Sequence, residues 1–207
     1  MRRSLLALIV VAVLAASGCG SSGGARSSTT DATTESSGSS SAPPSTSPAT
    51  TAAAGSGTTF VGSLADEAGV HAGSTVALLA AVRVAHHPGF DRVVFEFKDG
   101  VLPDWSVRYT KGPFTEDPSG APVAVAGSAF LEVELHGASG VDLDTGATSY
   151  TGPKVVPGGS ATVVQEVART GDFEALMGWV VGLARQVPFH VSTLLGPARV
   201  VVDVAAP

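Results

Sequence analysis

Hydrophobic and polar positions divide this 207-residue chain into three stretches of different texture. Leu5 to Ala16 is an unbroken apolar run behind Met1-Arg2-Arg3. From Gly20 to Thr59 every residue except Arg26, Asp31 and Glu35 is Gly, Ser, Thr, Ala or Pro. From Phe60 onward apolar and polar residues alternate in short segments cut by Gly, Pro and Asp. A two-residue period places alternate side chains on opposite faces of a strand.

The third stretch therefore predicts strands nearly throughout. Ala81–His86 places Val82 and Val84 on one face. After a turn at Pro88-Gly89-Phe90-Asp91, Arg92–Phe97 aligns Val93, Phe95 and Phe97 against Val94, Glu96 and Lys98. Asp104–Thr110 groups Trp105, Val107 and Tyr109, and Gly112–Pro122 reads as a loop. Ala129–His136 turns Leu131, Val133 and Leu135 inward and Glu132, Glu134 and His136 outward, the pattern of an antiparallel sheet with one wet face. Gly137–Ser160 is a long excursion with an expected edge hairpin around Ser149-Tyr150-Thr151. Val163–Ala168, Pro188–Leu194 and Arg199–Val204 complete the strands, the last two joined at Gly196-Pro197. Asp172–Ala184 is ambiguous: Phe173, Leu176, Trp179, Val180 and Leu183 nearly form a helical stripe, which Gly178 and Gly182 weaken.

Arg92-Val93-Val94-Phe95-Glu96-Phe97 is echoed by Arg199-Val200-Val201-Val202-Asp203-Val204. The echo has two readings: convergence of two half-buried core strands, or equivalent places in two sheets that face each other. Either puts Phe95 and Val202 in the core. Many short strands with regular turns predict an all-β fold, a β-sandwich of mostly antiparallel strands.

Composition sharpens the division. The middle stretch has too little apolar surface to offset the entropy of ordering, so it is expected to be a disordered tether. Its rms reach as a flexible coil is roughly 35 Å. Residues 60–207 suffice for one domain with its own core. That domain carries net −7, once Arg2, Arg3, Arg26, Asp31 and Glu35 are set aside from the overall −6. Its basic residues do not cluster, which argues against a nucleic-acid partner. Cys19 is the single cysteine, so the domain has no disulfide and no thiol nucleophile.

The first stretch has a charged start, a short apolar run and small residues Ala16-Ser17-Gly18 before Cys19, the layout of a targeting signal. The run falls short of the about 20 residues that span a bilayer. Cys19 in this setting resembles the lipobox of bacterial lipoproteins. That resemblance implies cleavage after residue 18, acylation of Cys19 and a mature chain anchored in the cell membrane on its extracytoplasmic side. The expected organisation is a signal peptide over 1–18, a lipidated Cys19 and tether over 19–59, and a folded domain over 60–207.

The block Val82-Arg83-Val84-Ala85-His86-His87-Pro88-Gly89-Phe90-Asp91-Arg92-Val93-Val94-Phe95-Glu96-Phe97 resembles the opening of an AMIN-like domain found in bacterial lipoproteins. Arg169-Thr170-Gly171-Asp172-Phe173-Glu174 and Pro197–Val204 resemble its later blocks, so the likeness runs from about Thr75 to Ala205. The related AMIN domains of cell-wall amidases and secretin-type proteins are β-sandwiches that place their proteins on peptidoglycan or the envelope. The resemblance implies a non-catalytic binding module and favours a strand for Asp172–Ala184.

The residues were also read for chemistry. Asp144-Thr145-Gly146-Ala147-Thr148 is similar to the aspartic-protease signature, but it stands as a single copy where two aspartates share a proton. Asp142, Asp144 and Gly146 are a fragment of a calcium loop that lacks its closing glutamate. His86 and His87 point to opposite faces of a strand and do not suit one metal ion. No cofactor, metal or catalytic residue is assigned. For binding, Trp105, Tyr109 and Tyr150 are the aromatic candidates, although Trp105 and Tyr109 share a face with Val107. Arg83, Arg92 and Arg108 are suited to gripping carboxylates, with Glu96, Asp91 and Asp203 as rival partners inside the chain.

The sequence thus points to a non-enzymatic, lipid-anchored envelope protein that binds peptidoglycan or another wall polysaccharide. The alternatives are an adaptor that binds another envelope protein by strand addition, and a hydrolase using Asp144.

Overall fold

The computed structural model describes residues 60–207. The expected signal peptide, the expected tether and Cys19 lie outside the described residues. Among the described residues the chain forms β1 (Glu67–Gly69), β2 (Ala77–His87), β3 (Phe90–Phe97), β4 (Asp104–Thr110), β5 (Phe114–Glu116), β6 (Ala121–Val123) and β7 (Ala129–His136). It continues through β8 (Ala138–Ser139), β9 (Val155–Pro157), β10 (Val164–Phe173), β11 (Leu176–Leu183), β12 (Phe189–Leu194) and β13 (Ala198–Ala205).

The strands form two large sheets. One runs β1-β4-β7-β11-β10-β9 and the other β12-β13-β3-β2-β8. Every strand pair except β2–β8 is antiparallel. The inner faces meet in one apolar core, with Phe95 of β3 against Trp179 of β11 and Tyr109 of β4 against Phe189 of β12, each pair 5.8 Å between centroids. The fold is the expected all-β sandwich. Its faces follow the alternation: Val93, Phe95, Phe97, Leu131, Val133 and Leu135 are buried.

Asp172–Ala184 resolves as the end of β10, a two-residue turn and β11. Trp179, Val181 and Leu183 face the core, and Gly178, Val180 and Gly182 face outward. The helical stripe arises because both outer glycines are small, which leaves apolar residues dominant on both faces of one strand.

One open reading is settled and two expectations are corrected. The Arg92 and Arg199 blocks are two core strands, β3 and β13, adjacent and antiparallel in one sheet and not in facing sheets. Antiparallel pairing sets Arg92 opposite Asp203 and Glu96 opposite Arg199, so the repeated arginine-to-acid spacing encodes register as a charge match. Phe95 and Val202 are both in the core, as either reading required. Gly112–Pro122 is not a plain loop, because β5 and β6 pair there as a hairpin. Ser149-Tyr150-Thr151 is no edge hairpin; Tyr150 turns inward, edge-on to Trp179 at 5.8 Å, and the edge strand is β9.

Polar links tie the two sheets together along their margins. At one margin, Ser63 and Phe189 exchange backbone hydrogen bonds of 2.9 and 2.8 Å, and the Val191 amide donates to Glu67 Oε2 at 2.9 Å. The Tyr109 hydroxyl donates to the Val187 carbonyl at 2.5 Å and accepts from its amide at 3.0 Å. At the other margin stands Asp91, fully buried on the inner face of β3. Its Oδ2 accepts from the amides of Thr162, Val163 and Val164 at 2.8, 2.6 and 3.1 Å. Its Oδ1 accepts from His86 Nδ1 at 2.7 Å. One carboxylate from the second sheet thus gathers three amides at the entry to β10 in the first.

Burial alone would raise the Asp91 carboxyl, but the bonds from His86 and the three amides hold it below its ordinary value. The folded state therefore keeps Asp91 ionised to lower pH than the unfolded chain does. Its contribution is present in full above the unfolded value near pH 4 and is lost as pH falls through the folded value. Asp91→Ala is predicted to cost about 3–5 kcal/mol at pH 7, because three buried amides lose their acceptor. Urea unfolding at pH 7 and pH 3 checks the sign. The stability gap between wild type and Asp91→Asn should narrow at pH 3, and a gap that stays constant contradicts the assignment.

Candidate functional site

The outer face of the first sheet is not bare. After β4 the chain leaves the sheet at Lys111, forms the β5–β6 hairpin, and returns across the outer face before entering β7. The Asp117 amide donates to the Thr170 carbonyl at 2.7 Å, where β10 carries a register shift between Arg169 and Gly171. The Phe114 ring meets Phe130 edge-on at 5.1 Å. The Ala126 amide donates to Glu166 Oε1 at 2.7 Å. The segment is a strap fastened at both ends.

Gly182 makes room for it, and Gly178 is crowded from the neighbouring β10. A side chain at Gly182 would place its Cβ 1.9 Å from the Ala126 carbonyl oxygen, so only glycine lets the strap cross β11 there. A Cβ at Gly178 would lie 2.7 Å from Thr170 Oγ1. Val180, between them, is 1 % exposed although it faces away from the core.

Hairpin and sheet enclose a groove of about 320 Å³, within the range of small-ligand sites. Its floor is Gly178, Gly171 and Thr170; Leu176, Val180 and Phe114 supply apolar surface; Lys111, Asp117, Glu132 and Glu134 supply charge. A second depression of about 370 Å³ shares Thr110 and Lys111, so Lys111 stands between the two.

The acidic wall is organised from outside the groove. Arg108 lies beside Glu132 at 2.6 Å and donates to Glu134 at 2.9 Å. Ser106 Oγ donates to Glu134 at 3.2 Å. The bond to Glu134 raises the Arg108 pKa, against the effect of burial. On the hairpin, Glu116 pairs with Lys154, whose hydrogen bond and charge lower the Glu116 carboxyl.

The structure does not gather the six residues singled out by sequence. Arg83 is paired with Glu96 on the second sheet. Arg92 grips Asp203 with two bonds, of 2.7 and 2.8 Å, and lies over the Phe90 ring. Arg108 alone borders the groove, and it acts through Glu132 and Glu134. Trp105 is 8 % exposed and Tyr150 6 %, so both rings belong to the core. Tyr150 donates its hydroxyl to the Pro153 carbonyl at 2.8 Å, and burial raises its pKa. Tyr109 has its hydroxyl committed to Val187, and burial likewise raises it.

Asp144 lies on an exposed loop. There Asp142 Oδ1 accepts from the amides of Asp144 and Thr145 at 2.9 and 3.2 Å, and Gly146 closes the turn at φ 73°. These contacts make Asp142 the cap of its own turn. His86 serves Asp91, and His87 stacks on Phe90 at 4.9 Å.

Sequence reasoning missed the groove because it took Gly112–Pro122 as a loop and used Gly178 and Gly182 only as evidence against a helix. The legible signal was their parity: two glycines four residues apart share one face of a strand, and a glycine inside a strand marks a close approach of another backbone, which occurs at Gly182.

The family model described as the AMIN-like domain matches residues 77–206, from the first residue of β2 to just past β13. No curated protein and no solved structure gives a significant match to the chain.

If the strap is fixed by the close approach at Gly182, Gly182→Ala must push it outward. The expected cost is about 1–3 kcal/mol of overpacking, a fall in Tm of roughly 3–10 °C for a domain of this size. Thermal unfolding measures it. An unchanged Tm would mean that the strap does not rest on β11.

Proposed function

The chain belongs to the AMIN-like domain family, and from that premise we propose that it is a non-enzymatic, lipid-anchored protein of the cell envelope whose domain binds peptidoglycan or another wall polymer. The groove beneath the strap is the observation that carries this reading. It is an open, chemically mixed channel on the outer face of the first sheet.

The remaining parts fit that role. Acylated Cys19 would hold the chain at the membrane, facing away from the cytoplasm. The stretch from Gly20 to Thr59 would let the domain search a shell some tens of ångströms deep. Arg83, Arg92 and Arg108 are engaged with acids of the same chain, so recognition falls to the groove.

A second reading is an adaptor that recruits another envelope protein by strand addition. It is favoured by β2, which is eleven residues long but is paired by β8 only at Ala77 and Leu78. Cross-linking in cells before and after wall digestion separates the two. Partners that survive digestion support the adaptor, and partners lost with the wall support polymer binding.

The 207-residue chain in detergent is expected to co-sediment with purified wall. Gly178→Val, which fills the groove floor, should weaken that binding at least tenfold. Phe114→Ala, which removes an apolar wall without crowding the sheet, should weaken it several-fold. Wild-type sedimentation by both folded variants would move the site elsewhere, and no sedimentation of the wild type at low and moderate salt would remove wall binding.

A further inference from the structure

We infer that the groove reads the peptide part of the wall polymer, through a free ammonium group on a short extended peptide, and not its sugar chain. This rests on the wall-binding reading above and names the ligand class for that site.

The sugar chain is disfavoured by what the groove lacks. Sugar rings are held by stacking on exposed aromatic faces. The one ring lining the groove is Phe114, and its approach to Phe130 is edge-on at 5.1 Å. Trp105, Trp179 and Tyr150 are buried in the core.

The peptide is favoured by how charge is arranged on the sheet. Register sets Ser106, Glu134, Gly178 and Gly171 in one row across β4, β7, β11 and β10. Asp117 bridges to Gly171 at the far end of that row, and a Cβ added at Gly171 would lie 3.2 Å from the Asp117 Cβ. The bare floor at Gly178 is thus flanked by a carboxylate on each side. Glu132 lies on the same face of β7, one alternation away. Arg108 offsets one of the three negative charges, so this end of the groove stays acidic.

Lys111 closes the other end. Thr110 pairs with Phe130, so Lys111 falls level with Ala129, three residues from Glu132 and five from Glu134 along β7. At about 3.3 Å per residue, the positive and negative ends are roughly 10–17 Å apart. That separation matches about three to five residues of extended peptide. Val180, level with Glu132, and Phe114 offer apolar contact between the ends, and Leu176 lies just past the acidic end. The complementary occupant carries a carboxylate for Lys111 and an ammonium for the slot between Asp117 and Glu134.

Calorimetric titration of the 207-residue chain with three probes tests this. They are a lysine-containing tetrapeptide with a free C-terminal carboxylate, the same peptide acetylated on the lysine amine, and a peptide-free N-acetylglucosamine oligosaccharide. The free-amine peptide is expected to bind at least tenfold more tightly than either of the others, and more weakly as salt is raised. Asp117→Asn and Glu134→Gln should each reduce that preference several-fold. Equal binding of the acetylated peptide, tighter binding of the oligosaccharide, or binding of none of the three would overturn the inference. Wall co-sedimentation measured alongside keeps the two readings apart: walls that sediment the protein while acetylation has no effect leave wall binding standing and remove the ammonium slot.

Discussion

One buried carboxylate constrains the whole sandwich. Asp91 sits on the inner face of β3, where the alternation of the strand would place an apolar side chain. Burying a charge there is costly unless it is fully hydrogen-bonded. Three consecutive amides and one imidazole supply those bonds, and the three amides come from the opposite sheet. With no disulfide available to the domain, this link fixes how β3 meets the entry to β10. The position of β10 in turn fixes Thr170 and Gly171, on which the hairpin rests. The groove is therefore coupled, through one strand, to a contact on the far side of the core.

The two faces of the first sheet divide the work. The inner face is continuous apolar packing around Trp179, Leu131, Val133 and Val181. The outer face is built for close approach, with glycine at 182 where the chain crosses, and glycine at 178 and acid at 132 and 134 where the groove lies open. A strand buried on both faces reads as apolar along most of its length. That is why β11 carries Val180 outward at 1 % exposure.

Much of this was legible in the sequence, and the reasons differ by element. β4 and β7 could be bounded from alternation alone, because each has one apolar face and one polar face. The β3–β13 echo was visible, but its meaning was not, since alternation fixes faces and not neighbours. Only the pairing of Arg92 with Asp203 shows that the repeated spacing is a register device. The hairpin at Phe114–Val123 escaped because its strands are three residues each, too short for a period to emerge. Trp105 and Tyr150 looked available as binding aromatics because composition cannot tell an exposed ring from a buried one. Asp91 read as a turn residue, and its role depends on contacts more than seventy residues away in sequence.

The most direct test of the groove as the binding site is amide chemical-shift mapping of the isotope-labelled chain during titration with soluble wall fragments. The account predicts that the largest perturbations fall on Lys111 to Asp117, on Thr170 and Gly171, and on Gly178. Perturbations concentrated along β2 or around Asp142 to Ala147, with the groove amides unmoved, would contradict it.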